Sequence, residues 1–302
     1  MKIKTTDYNK FLDPKVVSKI SNLELRARLV VEGFLVGLHK SPYHGFSIEF
    51  SEHRPYMIGD DLKSIDWRVF ARTEKYFIKQ FEEETNLKAW IILDSSRSMY
   101  FNSESNIKKL EYAKTLSAAL AYLLIKQRDA AGLINYTNKV ENILPPKATR
   151  NYLNEIIKTL SLINASETTN TSNSLTELAE KIKKRSLIII ISDFFDEIDK
   201  TLKALKNFSF LKSEVIVFQI LDPIELSFGF KSDSTFIDLE TNEKLNTQPF
   251  HLRKAYQDAM KDFIDKIKHE CLKSYFDYNL ITTNEPFDKA LFKFVQKRKR
   301  LY

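Results

Sequence analysis

From about residue 87 onward, short apolar runs rich in β-branched residues alternate with stretches of helical periodicity, and no other feature constrains the fold as much. The runs predict strands at 88–93, 130–136, 187–191, 215–220 and 278–282. The stretches between and after them predict helices at 107–127, 151–162, 175–184, 252–273 and 286–297. Repeated strand and helix in this order imply an α/β fold with a doubly wound, mostly parallel, Rossmann-like sheet. LIIII at 187–191 lacks polar alternation and so reads as a strand covered on both faces. Pro145-Pro146 and Asp222-Pro223 punctuate the series, and a β-rich insertion with a Thr241-Asn242 turn is expected at 234–245.

The texture before residue 87 is different. Residues 24–38 have a helical pattern, and four of the six glycines (Gly33, Gly37, Gly45, Gly59) fall between positions 33 and 59. Too few strands are present for a separate sheet. The expectation is therefore a smaller N-terminal α+β subdomain, residues 1–86, leaning on a larger unit, residues 87–302.

Composition removes several function classes. The longest unbroken strand-like apolar run is far short of the roughly 20 residues of a membrane helix. The opening MKIKTTDYNK has no apolar segment after its lysines. No membrane insertion and a cytoplasmic location are expected. Cys271 is the single cysteine, which excludes an internal disulfide or a cysteine-cluster zinc site and predicts a buried packing role. The net charge of +7 invites a nucleic-acid reading, but Lys293, Lys297, Arg298, Lys299 and Arg300 supply five of those charges, leaving +2 elsewhere. Such a tail reads as a solvated helix end favoured by the helix dipole, with no interleaved aromatics for base stacking.

Chemistry concentrates in WIILDSSRSMYF, residues 90–101, where a strand ends in Asp94, Ser96 and Ser98 at alternate positions. In an open α/β sheet ligands bind beyond the carboxyl ends of the strands. Asp193, in IIIISDFFD, lies just past a second strand. If the two strands are neighbours, their tips are roughly 5 Å apart and both carboxylates can face one ion or its waters. Oxygen donors without nitrogen or sulfur suit Mg²⁺ or Mn²⁺. The competing reading is a serine-rich helix N-cap, with the hydroxyls on orphan amides and Asp94 complementing the dipole.

DSSRS at 94–98 resembles the first part of the metal-ion-dependent adhesion site of von Willebrand factor A-type domains. That resemblance implies a Rossmann-like fold that binds protein ligands through a divalent ion, with a threonine from a second loop and an aspartate from a third. Asp193 matches the aspartate, and Thr169, in ETTNTSNSLTELAEKI, matches the threonine. Glu167 and Thr168 stand where glycines are usual, so Thr168 and Thr171 stay open as alternatives to Thr169.

SPYHGFSIEFSEHRPYMIGDDLKSIDWRVFART, residues 41–73, is more specific. Arg54, Tyr56, Gly59, Asp60, Asp61, Ile65, Asp66, Trp67, Ala71 and Arg72 resemble the signature of the bacterial family called domain of unknown function fifty-eight, in which such a block precedes a von Willebrand A-like domain. The resemblance continues through LDPIELSF and FIDLETNEKL. Chemically, the block offers Arg54, Arg68 and Arg72 as planar forks for carboxylates and Asp60, Asp61 and Asp66 as acids. Two roles stay open: a clasp that pins the N-terminal part to the sheet with Trp67 as apolar anchor, or a docking surface that includes Tyr56. His39, His44 and His53 lack the i,i+4 spacing of a helical zinc pair.

These resemblances imply a noncatalytic, divalent-metal-dependent protein-binding module, with a partner Asp or Glu completing the ion's coordination and a MoxR-type AAA+ ATPase as working partner in assembly or maturation of other proteins. The enzymatic alternative is a Mg²⁺-dependent phosphatase of the haloacid dehalogenase type built on Asp94. It requires a second acid two residues later, where Ser96 stands, and a hydroxyl is a poor general acid. No glycine-rich phosphate loop, Walker lysine or nucleophile elbow is present, so no catalytic residue is assigned. The remaining alternative is nucleic-acid binding through the basic tail.

Overall fold

The computed structural model describes residues 12–40, 53–56, 67–79, 87–103, 107–164, 171–211, 213–230, 234–237, 244–247 and 249–299. Helices α1 (Pro14–Val17) and α2 (Leu23–Lys40) come first, followed by β1 (His53–Pro55), α3 (Trp67–Thr73) and β2 (Phe77–Lys79). The alternating part runs β3 (Lys88–Asp94), α4 (Lys109–Lys126), β4 (Ala130–Tyr136), β5 (Val140–Lys147), α5 (Arg150–Leu162), α6 (Thr171–Lys181), β6 (Leu187–Ser192), α7 (Ile198–Lys206) and β7 (Glu214–Leu221). It ends with α8 (Pro223–Ser227), β8 (Ser234–Ile237), β9 (Lys244–Thr247), α9 (Pro249–Lys273), β10 (Asp277–Thr282) and α10 (Phe287–Lys299).

Six strands form one sheet in the order β10-β7-β6-β3-β4-β5. Every pairing is parallel except that of β5, which runs antiparallel to β4 at the edge. This is a doubly wound, mostly parallel α/β fold. β1 with β2, and β8 with β9, form separate antiparallel pairs.

Side chains alternate across the sheet with the period of two that strands impose. Ile91, Leu93, Ile189, Ile191 and Phe218 face one helical layer, where α4 contributes Leu116, Leu120 and Leu124. Ile92, Ile188, Ile190, Val215 and Val217 face the other, against Leu175 and Leu178 of α6, Leu202 and Leu205 of α7, and Ile267 and Cys271 of α9. β6 is buried along its whole length, the consequence of layers on both faces.

Helix α4 is also buried almost throughout. Its inner face meets the sheet and α2 lies against it, with Ala27, Val30, Val31 and Phe34 in the same apolar cluster. Arg26 seals the contact with a 3.0 Å bond to Glu111. A helix apolar all round is what such a sandwiched position demands. The N-terminal residues thus supply part of the core that carries the sheet.

The five predicted strands and five predicted helices are present, with ends shifted by a few residues. Strand β5 was not foreseen. Its sequence carries Pro145-Pro146, which cannot donate to a ladder, and only an edge position tolerates that. Helix α7, which lies between the predicted strands at 187–191 and 215–220, was not foreseen either. In the insertion, β8 and β9 pair, while the expected Thr241-Asn242 turn lies outside the described residues. Cys271 is buried as expected, and burial pushes its thiol up to about 12. In the basic tail, Lys293 is not a free solvated end: its ammonium reaches the Leu280 carbonyl at 3.3 Å, and burial lowers its pKa.

Candidate metal centre at the strand tips

β3 and β6 are neighbours, with Leu93 opposite Ile191, so Asp94 and Asp193 emerge from adjacent parallel strand tips. Both carboxylates are buried. Asp94 Oδ1 accepts from the Ser96 backbone N–H at 2.8 Å, and Oδ2 accepts from the Ser192 hydroxyl at 2.5 Å. Burial, and next the charge of Asp193, raise the Asp94 carboxyl to about 7 against the lowering effect of these donors.

Beyond β3 the chain divides its serines by role. Ser95 turns toward β4, where its backbone N–H and hydroxyl both donate to the Tyr136 carbonyl, at 2.9 and 3.0 Å. Ser96 and Ser98 bring their hydroxyl oxygens to 3.0 Å from each other. The short 3-10 turn Ser98–Tyr100 and helix α4 both begin without a side-chain cap, their N-cap positions being Arg97 and Lys108. The N-cap reading of these serines is therefore set aside.

Asp193 is followed by Phe194 at φ 61°, a left-handed conformation that a bulky residue adopts only at a cost of about 1–2 kcal/mol. The fully buried Phe194 ring offsets that strain in the core. The turn leaves Asp193 Oδ1 accepting from Phe195 N–H at 3.0 Å, while Gln219 Nε2 holds its carbonyl at 3.0 Å. Asp193 Oδ2 accepts from the ammonium of Lys109 at 2.8 Å, and Lys109 also reaches Glu225 Oε1 at 2.6 Å. Burial pulls the Lys109 pKa down, but the charges of Asp193 and Glu225 outweigh it and leave it raised. Burial raises Glu225 to about 7 even with that partner beside it.

Two further hydroxyls face this centre. Tyr136, in register with Asp94, is buried, and its phenol is raised far above its ordinary value by burial and then by the Asp94 charge. Thr171 opens α6, its N–H donating to Asp196 Oδ2 at 2.7 Å, and its side chain lies near Tyr136. Among the described residues neither Tyr136 OH nor Thr171 Oγ1 has a well-formed hydrogen bond. Thr168 and Thr169 lie outside the described residues.

The donors fit a hard divalent cation. Two oxygens at adjacent corners of an octahedron with bonds of 2.0–2.1 Å are about 2.9 Å apart, close to the observed serine separation. Carboxylates on adjacent strand tips would supply the negative charge, and the buried Thr171 hydroxyl would offer a neutral oxygen. No group of three or more His, Cys, Asp or Glu suited to a metal occurs among the described residues, so a cation held here would take much of its ligation from hydroxyls.

Of the second predicted set, Tyr56 has its ring 6.3 Å from that of Tyr76, which stacks on Phe70 at 4.5 Å. Trp67 is 58% exposed and edge-on to Phe70, and Arg72 is exposed on the same helix. Arg54 lies in β1 opposite Ile78. Asp60, Asp61 and Asp66 lie outside the described residues. Four participants escaped the sequence reading: Lys109, Ser192, Tyr136 and Glu225. Only Lys109 left a trace, as a lysine in the first turn of a helix, where the dipole favours an acid.

Comparison with known proteins adds a family. The model described as "Protein of unknown function DUF58" matches residues 52–264. An uncharacterized protein of Mycobacterium tuberculosis is 25% identical over 234 residues, covering 76% of this chain and 72% of its own length. Among solved structures, the conserved hypothetical protein BatB from Bacteroides thetaiotaomicron is 17% identical, covering 71% of this chain and 99% of its own, with a TM-score of 0.45. The SpRpn10 VWA domain is 11% identical, covering 68% and 94%, with a TM-score of 0.39.

Proposed function

We propose, from the premise that this chain belongs to the DUF58 family of proteins of unknown function, that it is a noncatalytic protein-binding module whose ligand site is the β3–β6 cleft charged with a divalent ion. Ser96, Ser98 and a threonine of the segment before α6 would hold Mg²⁺ or Mn²⁺, with Asp94 and Asp193 anchoring it directly or through water. The ion would supply an electrophilic centre for an Asp or Glu of the partner protein. The partner class we propose is a MoxR-type AAA+ ATPase.

The observation that carries this reading is the meeting of Asp94, Ser96 and Ser98 with Asp193 at adjacent strand tips. Half-buried Arg97 and Ser98 and exposed Tyr100 give the site a rim at the surface. No helix among the described residues is long and apolar enough to cross a membrane.

The test is thermal melting with Mg²⁺ against chelator. The wild-type protein is expected to gain stability with ion concentration, as any ligand specific for the native state requires. Asp94→Ala and Ser96→Ala are expected to lose that gain while keeping the fold. Ion-independent melting of the wild type would defeat the reading. Pull-down with and without chelator tests the partner, and turnover of phosphate esters dependent on Asp94 would favour an enzyme instead.

A further inference from the structure

Lys109 is fully buried in the first turn of α4, where the helix dipole disfavours a cation. Burying an ammonium costs several kcal/mol unless it is paired and hydrogen-bonded, so its surroundings need to account for it. Two of its three N–H donors go to Asp193 Oδ2 and Glu225 Oε1. The ammonium also lies 4.7 Å from the centre of the Phe195 ring and 5.8 Å from that of Phe101.

Glu225 is held in turn. Its Oε2 accepts from the Asp222 backbone N–H at 2.7 Å, and Asp222 Oδ1 accepts from Ile224 N–H at 2.9 Å, the reciprocal box that starts α8. Asp222 Oδ2 accepts from Ser103 N–H at 3.0 Å, in the segment that leads to α4. Lys109 therefore joins the tip of β6 to helix α8, and Asp222 carries the link on to the approach to α4.

We infer that Lys109 is a built-in counter-ion that competes with the divalent ion for Asp193 and ties the occupancy of the strand-tip site to helix α8. The inference rests on the proposed metal site. With the ammonium on Oδ2 and the Phe195 amide on Oδ1, Asp193 is neutralised from within, and the site is assembled before any ion arrives. An ion that draws on Asp193 weakens its hold on Lys109, which then leans on Glu225 and α8. Fixed positive charge beside the site also lowers its affinity for a divalent cation, so the lysine sets how tightly the ion is held.

Calorimetric titration with MnCl₂ tests this on the full chain, comparing wild type with Lys109→Met and with Lys109→Met/Glu225→Gln, which removes one of the two stranded carboxylates. Each Lys109 variant is expected to bind Mn²⁺ at least tenfold more tightly than wild type. Equal or weaker binding in both variants, with wild type binding, overturns the counter-ion role and leaves the metal site standing. Binding by the variants alone supports competition and shows the native chain using lysine in place of the ion. No binding by any of the three defeats both readings. Should the variants not fold, the wild type still decides: the resonance of the buried Lys109 ammonium is expected to shift on saturation with Mg²⁺, and an unmoved resonance overturns the proposal.

Discussion

Ser192 Oγ donates to Asp94 Oδ2 across 2.5 Å, joining the tips of β6 and β3 through two side chains that are both sealed from solvent. The bond supplies one of the donors that compensate a buried carboxyl, and it lowers a pKa that burial drives upward. Ser192→Ala removes the donor and leaves the acceptor in place. A loss of about 1–3 kcal/mol is expected, the cost of stranding a buried polar group. Urea denaturation in chelator measures it, and an unchanged midpoint would deny the bond any structural weight.

The raised Asp94 pKa fixes the sign of a pH dependence. In the unfolded chain this carboxyl titrates near 3.8, and in the folded chain near 7. Between those values the native state keeps a proton that the unfolded state has released, so stability falls as pH rises through the window, by at most about 1.4 kcal/mol per pH unit. Above about 7 the penalty is complete. Melting in chelator from pH 5 to pH 8 is expected to show the decline, and Asp94→Asn to reduce it to the part contributed by Glu225, which burial also raises to about 7. A slope of the same size in Asp94→Asn would assign the effect to another group.

Among the described residues the buried Thr171 hydroxyl has no well-formed hydrogen bond, and Tyr136 lies beside it. Thr171→Val keeps the shape and removes that unsatisfied oxygen, so stability in chelator is expected to hold or rise slightly. If Thr171 is the threonine ligand, the Mg²⁺-dependent gain disappears in the same variant. Melting with and without ion reads both effects, and a full gain in Thr171→Val assigns the ligand to Thr168 or Thr169.

Gly132 lies in β4 against the paired edge strand β5. A Cβ built there would sit 2.7 Å from the Leu144 carbonyl oxygen and 2.9 Å from the Pro146 nitrogen, both backbone atoms that cannot swing aside. Gly132→Ala is expected to push β5 from the sheet and to cost about 1–3 kcal/mol, the range for forced overpacking. Denaturant midpoints test this, and hydrogen exchange confined to 140–147 would locate the damage.

The sheet was legible in outline because buried parallel strands need uninterrupted apolar residues, and LIIIIS and WIILD satisfy that requirement locally. Strand β5 was not, since Pro145-Pro146 signals a loop until an edge position makes the missing donors harmless. At the site, Asp94, Ser96 and Ser98 could be named from spacing alone, being neighbours on one loop. Ser192, Tyr136, Lys109 and Glu225 could not, because each lies on a different element and acquires its role only from what packs beside it.

The alternation of strand and helix, the apolar faces and the oxygen-bearing segment after β3 are written in short-range periodicity and side-chain type. The adjacency of β3 and β6, the burial of Asp94 and Asp193 beside each other, and the reach of a lysine from α4 to one of them come from tertiary packing. Strand order is set by how two helical layers close over both faces of the sheet, and the energy of a buried charge depends on partners that the chain brings together from far apart in sequence.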